Sequence, residues 1–189
     1  DSRQQVAAIV SCIATLSHMG RLGEEQYETL ATKATQYSNK LLKKPDQCRA
    51  VARASYMFWS KAGDEPYRNP KRVLECLQRS LKARRAAPAP ARAPPTDLAT
   101  HCRCLRPCCS CPPRQIADAC KANNAHVSLF VEILDAYLFH FEQENEMVES
   151  THLNSLMQLI EQQLGDAPDT PPMAAARAHY ANTRRALAA

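Results

Sequence analysis

Residues 127–141 read VSLFVEILDAYLFHF, and the fold class turns on how this run is taken. Val127, Phe130, Val131, Leu134, Leu138 and Phe141 recur at intervals of three and four, the spacing of one helix face. Glu132 and Asp135 break the apolar run, which is therefore unsuited to crossing a bilayer. The segment predicts an amphipathic helix that buries its stripe against other helices.

The same period spreads outward in both directions. Downstream, Leu153, Leu156, Met157, Ile160 and Leu164 form a second stripe with Gly165 as its stop, and Met173, Ala176, Tyr180 and Leu187 mark a last helix after Pro171 and Pro172. Upstream, Val6, Ile9, Val10, Ile13 and Leu16 share a face that ends near Gly20 and Gly23. Tyr27, Leu30, Ala31, Ala34, Tyr37, Leu41 and Leu42 supply the stripe of the next helix, and Val51, Ala54, Phe58 and Trp59 that of a third, with Asp46 as its cap or in its first turn. Asn69 reads as the N-cap of a fourth, with Pro70 at the first helical position and Val73, Leu74, Leu77 and Leu81 on its buried side. No segment alternates with period two, so almost no β-structure is expected. Helix pairs recurring about every 40 residues predict an all-α, HEAT-like α-solenoid of antiparallel pairs. A four-helix bundle with extra helices is the other arrangement this pattern permits.

One window departs from the rest. Residues 83–115 hold six arginines and one acid, Asp97, which equals the whole net charge of +5; the remainder balances 18 basic against 18 acidic side chains. The window also carries seven of the thirteen prolines and no glycine, and disorder is expected there. The division that follows is 1–82 helical repeats, 83–115 a low-complexity insertion, 116–165 a helical repeat and 171–189 a C-terminal helix. Excising the window sets Ile116, Ala117 and Cys120 on nearly the same face as Leu77 and Leu81, as if it interrupts a helix. A retained intron, a gene-model error and a lineage-specific loop all fit that placement.

Within it, HCRCLRPCCSCPP (residues 101–113) gathers five of the nine cysteines beside His101. Cys102, Cys104, Cys108 and Cys111 could supply four thiolates to a tetrahedral zinc, yet the spacing lacks the paired C-x2-C knuckles of structural zinc sites. Glu149 and His152 form one E-x-x-H on a helix face, where a di-iron bundle needs two such motifs and two more glutamates. Four isolated glycines build no phosphate-cradling loop, and no nucleophile elbow or H-E-x-x-H is present. No enzymatic activity and no cofactor are expected. Cys12, Cys48, Cys76 and Cys120 are widely scattered and read as reduced, mostly packed thiols of a cytosolic protein. The chain opens at Asp1 without methionine or a leader, as a piece of a longer chain would, and its first helix should then be sticky or frayed alone.

LLKKPDQCRAV (41–51), FWS (58–60), KRVLECLQRSLK (71–82) and VSLFVEILDAYLFHFEQEN (127–145), in this order and spacing, resemble the C-terminal part of retromer's large α-solenoid subunit, the vacuolar protein sorting-associated protein 35 family. The similarity runs from about Gln4 to Leu187, the window excepted. It implies a non-catalytic scaffold of the endosomal sorting coat, cytoplasmic and peripheral on endosomal membranes, acting in retrograde endosome-to-Golgi protein transport. The implied partner is retromer's small subunit of metallophosphoesterase fold. Other retromer subunits would be met through a preceding part of the solenoid, C-terminal regions could associate with each other, and membrane contact would be indirect. Lys43, Lys44, Asp46, Gln47, Arg49 and Trp59 are the candidate partner-binding residues. A zinc- or nucleic-acid-binding helical regulator acting through residues 83–115 is the competing reading; it predicts affinity that falls steeply with salt.

Overall fold

Asp1 opens the first helix, α1 (Ser2–His18), by accepting the Arg3 N–H at 3.0 Å. The structure, a computed structural model, describes residues 1–19, 22–60, 66–85, 127–166 and 169–188. Of the expected α1 stripe only Ile13 is fully buried; Val6, Ile9, Val10 and Leu16 are half-covered. Helix α2 (Glu24–Asn39) follows, its first-turn Glu24 and Glu25 complementing the helix dipole.

The buried face of α2 keeps Tyr27 and Ala31 of the expected stripe, with Leu41 buried just beyond the helix, and differs in the rest. Tyr27, Ala31, Thr35 and Ser38 point inward, while Leu30, Tyr37 and, just beyond the helix, Leu42 are 40%, 60% and 80% exposed. Small residues let α2 lie close to its neighbours. The hydroxyls of Thr35 and Ser38 donate to the carbonyls of Ala31 and Ala34 at 2.8 and 2.9 Å, so their burial leaves nothing unpaired. A reading by hydrophobicity ranks leucine and tyrosine above such residues and so adds Leu30, Tyr37 and Leu42, which lie off the buried face, and passes over Thr35 and Ser38.

Helix α3 (Lys44–Ala54) begins with Pro45 in its first turn and buries most of its surface, including Cys48, Ala50, Val51 and Ala54. It stops short of Phe58 and Trp59, contrary to expectation. Ser55 Oγ donates back to the Ala52 carbonyl at 2.6 Å, and residues Ser55–Phe58 tighten into a 3-10 turn. Trp59–Ser60 (β1) then pairs antiparallel with Tyr67–Arg68 (β2), Trp59 opposite Arg68. Asn69 caps α4 (Pro70–Arg85) as expected, its Oδ1 accepting the Arg72 N–H at 3.1 Å. The helix runs three residues into the window expected to be disordered; the rest of 83–115, with Ile116, Ala117 and Cys120, lies outside the described residues.

Helix α5 (Val127–Glu142) is the centre of the molecule. It packs on α3 and α4 from one side and on α6 (Ser150–Gly165) and α7 (Pro171–Ala188) from the other. That position explains why Leu129, Ile133, Ala136 and Tyr137 are buried along with the expected stripe. Phe141 and Leu187, by contrast, are exposed, and Thr183 is the buried residue in the last turns of α7. One continuous apolar cluster runs from Ile13 to Tyr180, so the successive helix pairs form the expected all-α stack. Cys48 and Cys76 are packed, burial pushing the Cys76 thiol up to about 11, whereas Cys12 is exposed rather than packed.

Candidate partner-binding surface

The residues singled out at the start of α3 divide into two sets. Gln47 is buried, its Nε2 donating to the Asn39 carbonyl and its Oε1 accepting from Lys44 Nζ at 3.1 Å, so it fastens the end of α2 to the start of α3. Trp59 is buried as well, with the Arg68 guanidinium 5.1 Å over its ring and the His140 ring 6.4 Å away at its edge. Lys43, Lys44, Asp46 and Arg49 remain at the surface, fully or in part. Lys43 occupies the N-cap position without a side-chain cap, and Asp46 lies in the first turn, where it favours the helix dipole only. Arg49 spans to α5, its Nε and Nη2 donating to the two Glu132 carboxylate oxygens at 2.7 and 3.0 Å. This hydrogen-bonded pairing raises the Arg49 pKa.

A cleft of about 600 Å³ opens at the other end of α3, lined by Arg53 and by Trp59 but by none of the residues at the start of the helix. Val10, Ile13 and Ala14 of α1, Tyr56 and Trp59 of the segment after α3, and Phe139 of α5 supply its apolar lining. His18, Arg53 and Gln143 stand among its polar lining residues, and Ser60 Oγ donates to the Ser17 carbonyl at 3.0 Å, fastening β1 to α1. Tyr56 and Phe139 pack with their ring centroids 4.8 Å apart and their planes tilted by 58°. Neither was singled out from the sequence, where the helix expected through Trp59 hid the turn that places Tyr56.

His140, also unremarked in the sequence, lies against the Tyr56 and Trp59 rings and is wholly buried. Its Nε2 lies 2.9 Å from Ser55 Oγ, whose single proton is committed to the Ala52 carbonyl. The imidazole therefore carries its proton on Nε2 and donates to Ser55, leaving Nδ1 as a bare acceptor without a partner. Burial holds its pKa down at about 4, so it is neutral at pH 7.

Glu149 and His152 are accounted for by the start of α6. The Glu149 N–H donates to His152 Nδ1 at 3.2 Å, and the imidazole stacks on Tyr137 at 6.1 Å. Among the described residues no group of three His, Cys, Asp or Glu side chains converges on a point where a metal ion could sit. Cys102, Cys104, Cys108 and Cys111 lie outside those residues. No described helix is long and apolar enough to cross a membrane.

Comparison with known proteins finds relatives of this chain over most of its length. The family model described as vacuolar protein sorting-associated protein 35 matches residues 1–109. The vacuolar protein sorting-associated protein 35 of Schizosaccharomyces pombe is 34% identical over 167 residues, covering 87% of this chain and 16% of that protein. Protein 35B of Arabidopsis thaliana is 36% identical over 166 residues, covering 87% of this chain and 17% of its own length. The Dictyostelium discoideum protein is 29% identical over 102 residues. The chain thus spans about a sixth of the length of the first two relatives.

Proposed function

Because this chain belongs to the vacuolar protein sorting-associated protein 35 family, we propose that it serves as a non-catalytic scaffold segment of the retromer large subunit. In this reading its solenoid face binds retromer's small subunit of metallophosphoesterase fold, in retrograde endosome-to-Golgi transport. Membrane contact would be indirect, with the chain held on the cytoplasmic side of endosomes by other coat subunits.

The observation that carries the reading is the cleft between α1, the turn after α3 and the end of α5. An apolar lining drawn from α1, the segment after α3 and the end of α5, with polar side chains among it, suits a protein–protein contact, which combines a desolvated centre with polar surroundings. The accessible members of the α3 set, Lys43, Lys44, Asp46 and Arg49, would add charged contacts that steer association.

Calorimetric titration of this chain against the purified small subunit tests the proposal. Saturable 1:1 binding is expected, unchanged in a version lacking residues 83–115. Ala14→Arg fills the cleft from an exposed helical position and should weaken binding at least about tenfold without loss of helicity, as blocking a central contact does. No binding by the folded chain would overturn the proposal. Binding that disappears only when residues 83–115 are removed would move the function to the arginine- and cysteine-rich segment.

A further inference from the structure

The cleft between α1, the segment after α3 and the end of α5 is uneven in charge. Its lining holds one permanent cation, Arg53, and no aspartate or glutamate. Several of its polar groups are already engaged within the chain. Ser17 Oγ donates to the Ile13 carbonyl at 2.8 Å and Ser60 Oγ to the Ser17 carbonyl at 3.0 Å. His18 turns Nδ1 to the Ala14 carbonyl at 2.8 Å.

Arg53 is not engaged in this way. One turn earlier on the same helix Arg49 is held at both prongs by Glu132, whereas the Arg53 guanidinium takes part in no ion pair or hydrogen bond among the described residues. Burial raises the Tyr56 pKa and Asp135 adds to that, while Arg53 acts in the opposite direction, so its charge is felt at the cleft lining. Asp135 itself is taken up by His179 and Thr183, each at 2.8 Å. The Trp59 indole N–H is a further donor without an acceptor. Charge and hydrogen-bonding capacity both favour an incoming acceptor.

We infer that the cleft receives from the small subunit an apolar side chain with a carboxylate close to it in sequence, the apolar group packing on Val10, Tyr56 and Phe139 and the carboxylate pairing with Arg53. This occupant presupposes the contact proposed above between the cleft and the small subunit, and adds what the partner must present there. A guanidinium matches a carboxylate with two parallel N–H···O bonds, as Arg49 and Glu132 do in this chain. A lysine or arginine brought to the same place is repelled, and a purely apolar segment covers Arg53 without giving it a partner, which costs affinity. About 600 Å³ is the size of pockets that enclose a drug-sized molecule, so a side chain fits together with its flanking backbone.

Calorimetric titration of the whole chain with the purified small subunit, at low and high salt, tests the assignment. Arg53→Gln should weaken binding about tenfold at low salt and reduce its salt dependence. Lys82→Gln, which removes an exposed cation of α4 outside the cleft, should bind as the unmodified chain does. Arg53 also lies in the last turn of α3, where a cation favours the helix dipole. A role confined to that would leave binding by the folded variant unchanged. On the partner, exchanging surface Asp and Glu residues for amides one at a time should find one whose loss matches that of Arg53→Gln and adds nothing when the two are combined. Additive losses for every such residue, or an equal loss in Lys82→Gln, would reduce Arg53 to general attraction and overturn the inference. Weakening by Ala14→Arg without weakening by Arg53→Gln would keep the cleft as the contact and overturn the carboxylate. If neither variant weakens binding, the cleft is not the contact and the inference falls with that reading.

Discussion

His140 shows how one residue ties stability to pH. Its folded pKa of about 4 lies below the ordinary histidine value near 6.5, because burial disfavours the charged ring and the bare Nδ1 faces no acceptor. The unfolded chain therefore takes up this proton first as pH falls. The residue leaves stability unaffected above about pH 6.5 and lowers it progressively toward pH 4, by about 2 kcal/mol at pH 5. His140→Gln keeps a donor for Ser55 but cannot titrate. Urea unfolding at pH 7 and pH 5 should show the unmodified chain losing about 2 kcal/mol more than the variant. Equal losses would mean that the folded ring takes up its proton as readily as the unfolded one. Nothing in YLFHFEQEN distinguishes this histidine from a surface one, because its partner Ser55 lies 85 positions away.

Helix ends and helix faces were legible to different degrees. Asn69 is a cap in the sequence and in the structure, so Asn69→Ala should cost about 1 kcal/mol in denaturant unfolding. Asp46, with no capping bond, should cost only a few tenths of a kcal/mol when changed to Ala, the dipole contribution alone. Comparable losses for the two would show that Asp46 caps after all. Local chemistry makes such ends readable, since a cap needs only its own next three residues. The face of α2 was not readable in this way. Leu30 and Tyr37 satisfy the helical period about as well as Thr35 and Ser38 do, and which of them is covered depends on how closely α3 approaches.

At the scale of the whole molecule, a single cluster joins α1 through α7, and the only tryptophan sits within it. Trp59 touches the turn between the early helices and, through His140, the central helix. Loss of tryptophan fluorescence and loss of helical circular dichroism in urea should therefore coincide. A fluorescence change preceding the helical one would show that the early helix pairs come apart before α5–α7. The candidate site belongs to this scale as well. Val10, Tyr56 and Phe139 are far apart in sequence and line one cleft only because α1, the turn after α3 and the end of α5 stack side by side.

The sequence by itself determined the all-α class, most helix boundaries, the cap at Asn69, the family resemblance and the charge asymmetry of residues 83–115. All of these follow from periodicity and from interactions between close neighbours along the chain. Tertiary structure alone decided that α2 buries its small residues, that α3 tightens at Ser55 so that Trp59 is covered, and that His140 is neutral. It also decided which carboxylates find a partner on another helix, as Glu132 does with Arg49. Burial, pairing and charge balance depend on which helices meet, and the spacing of residues along a chain does not record that.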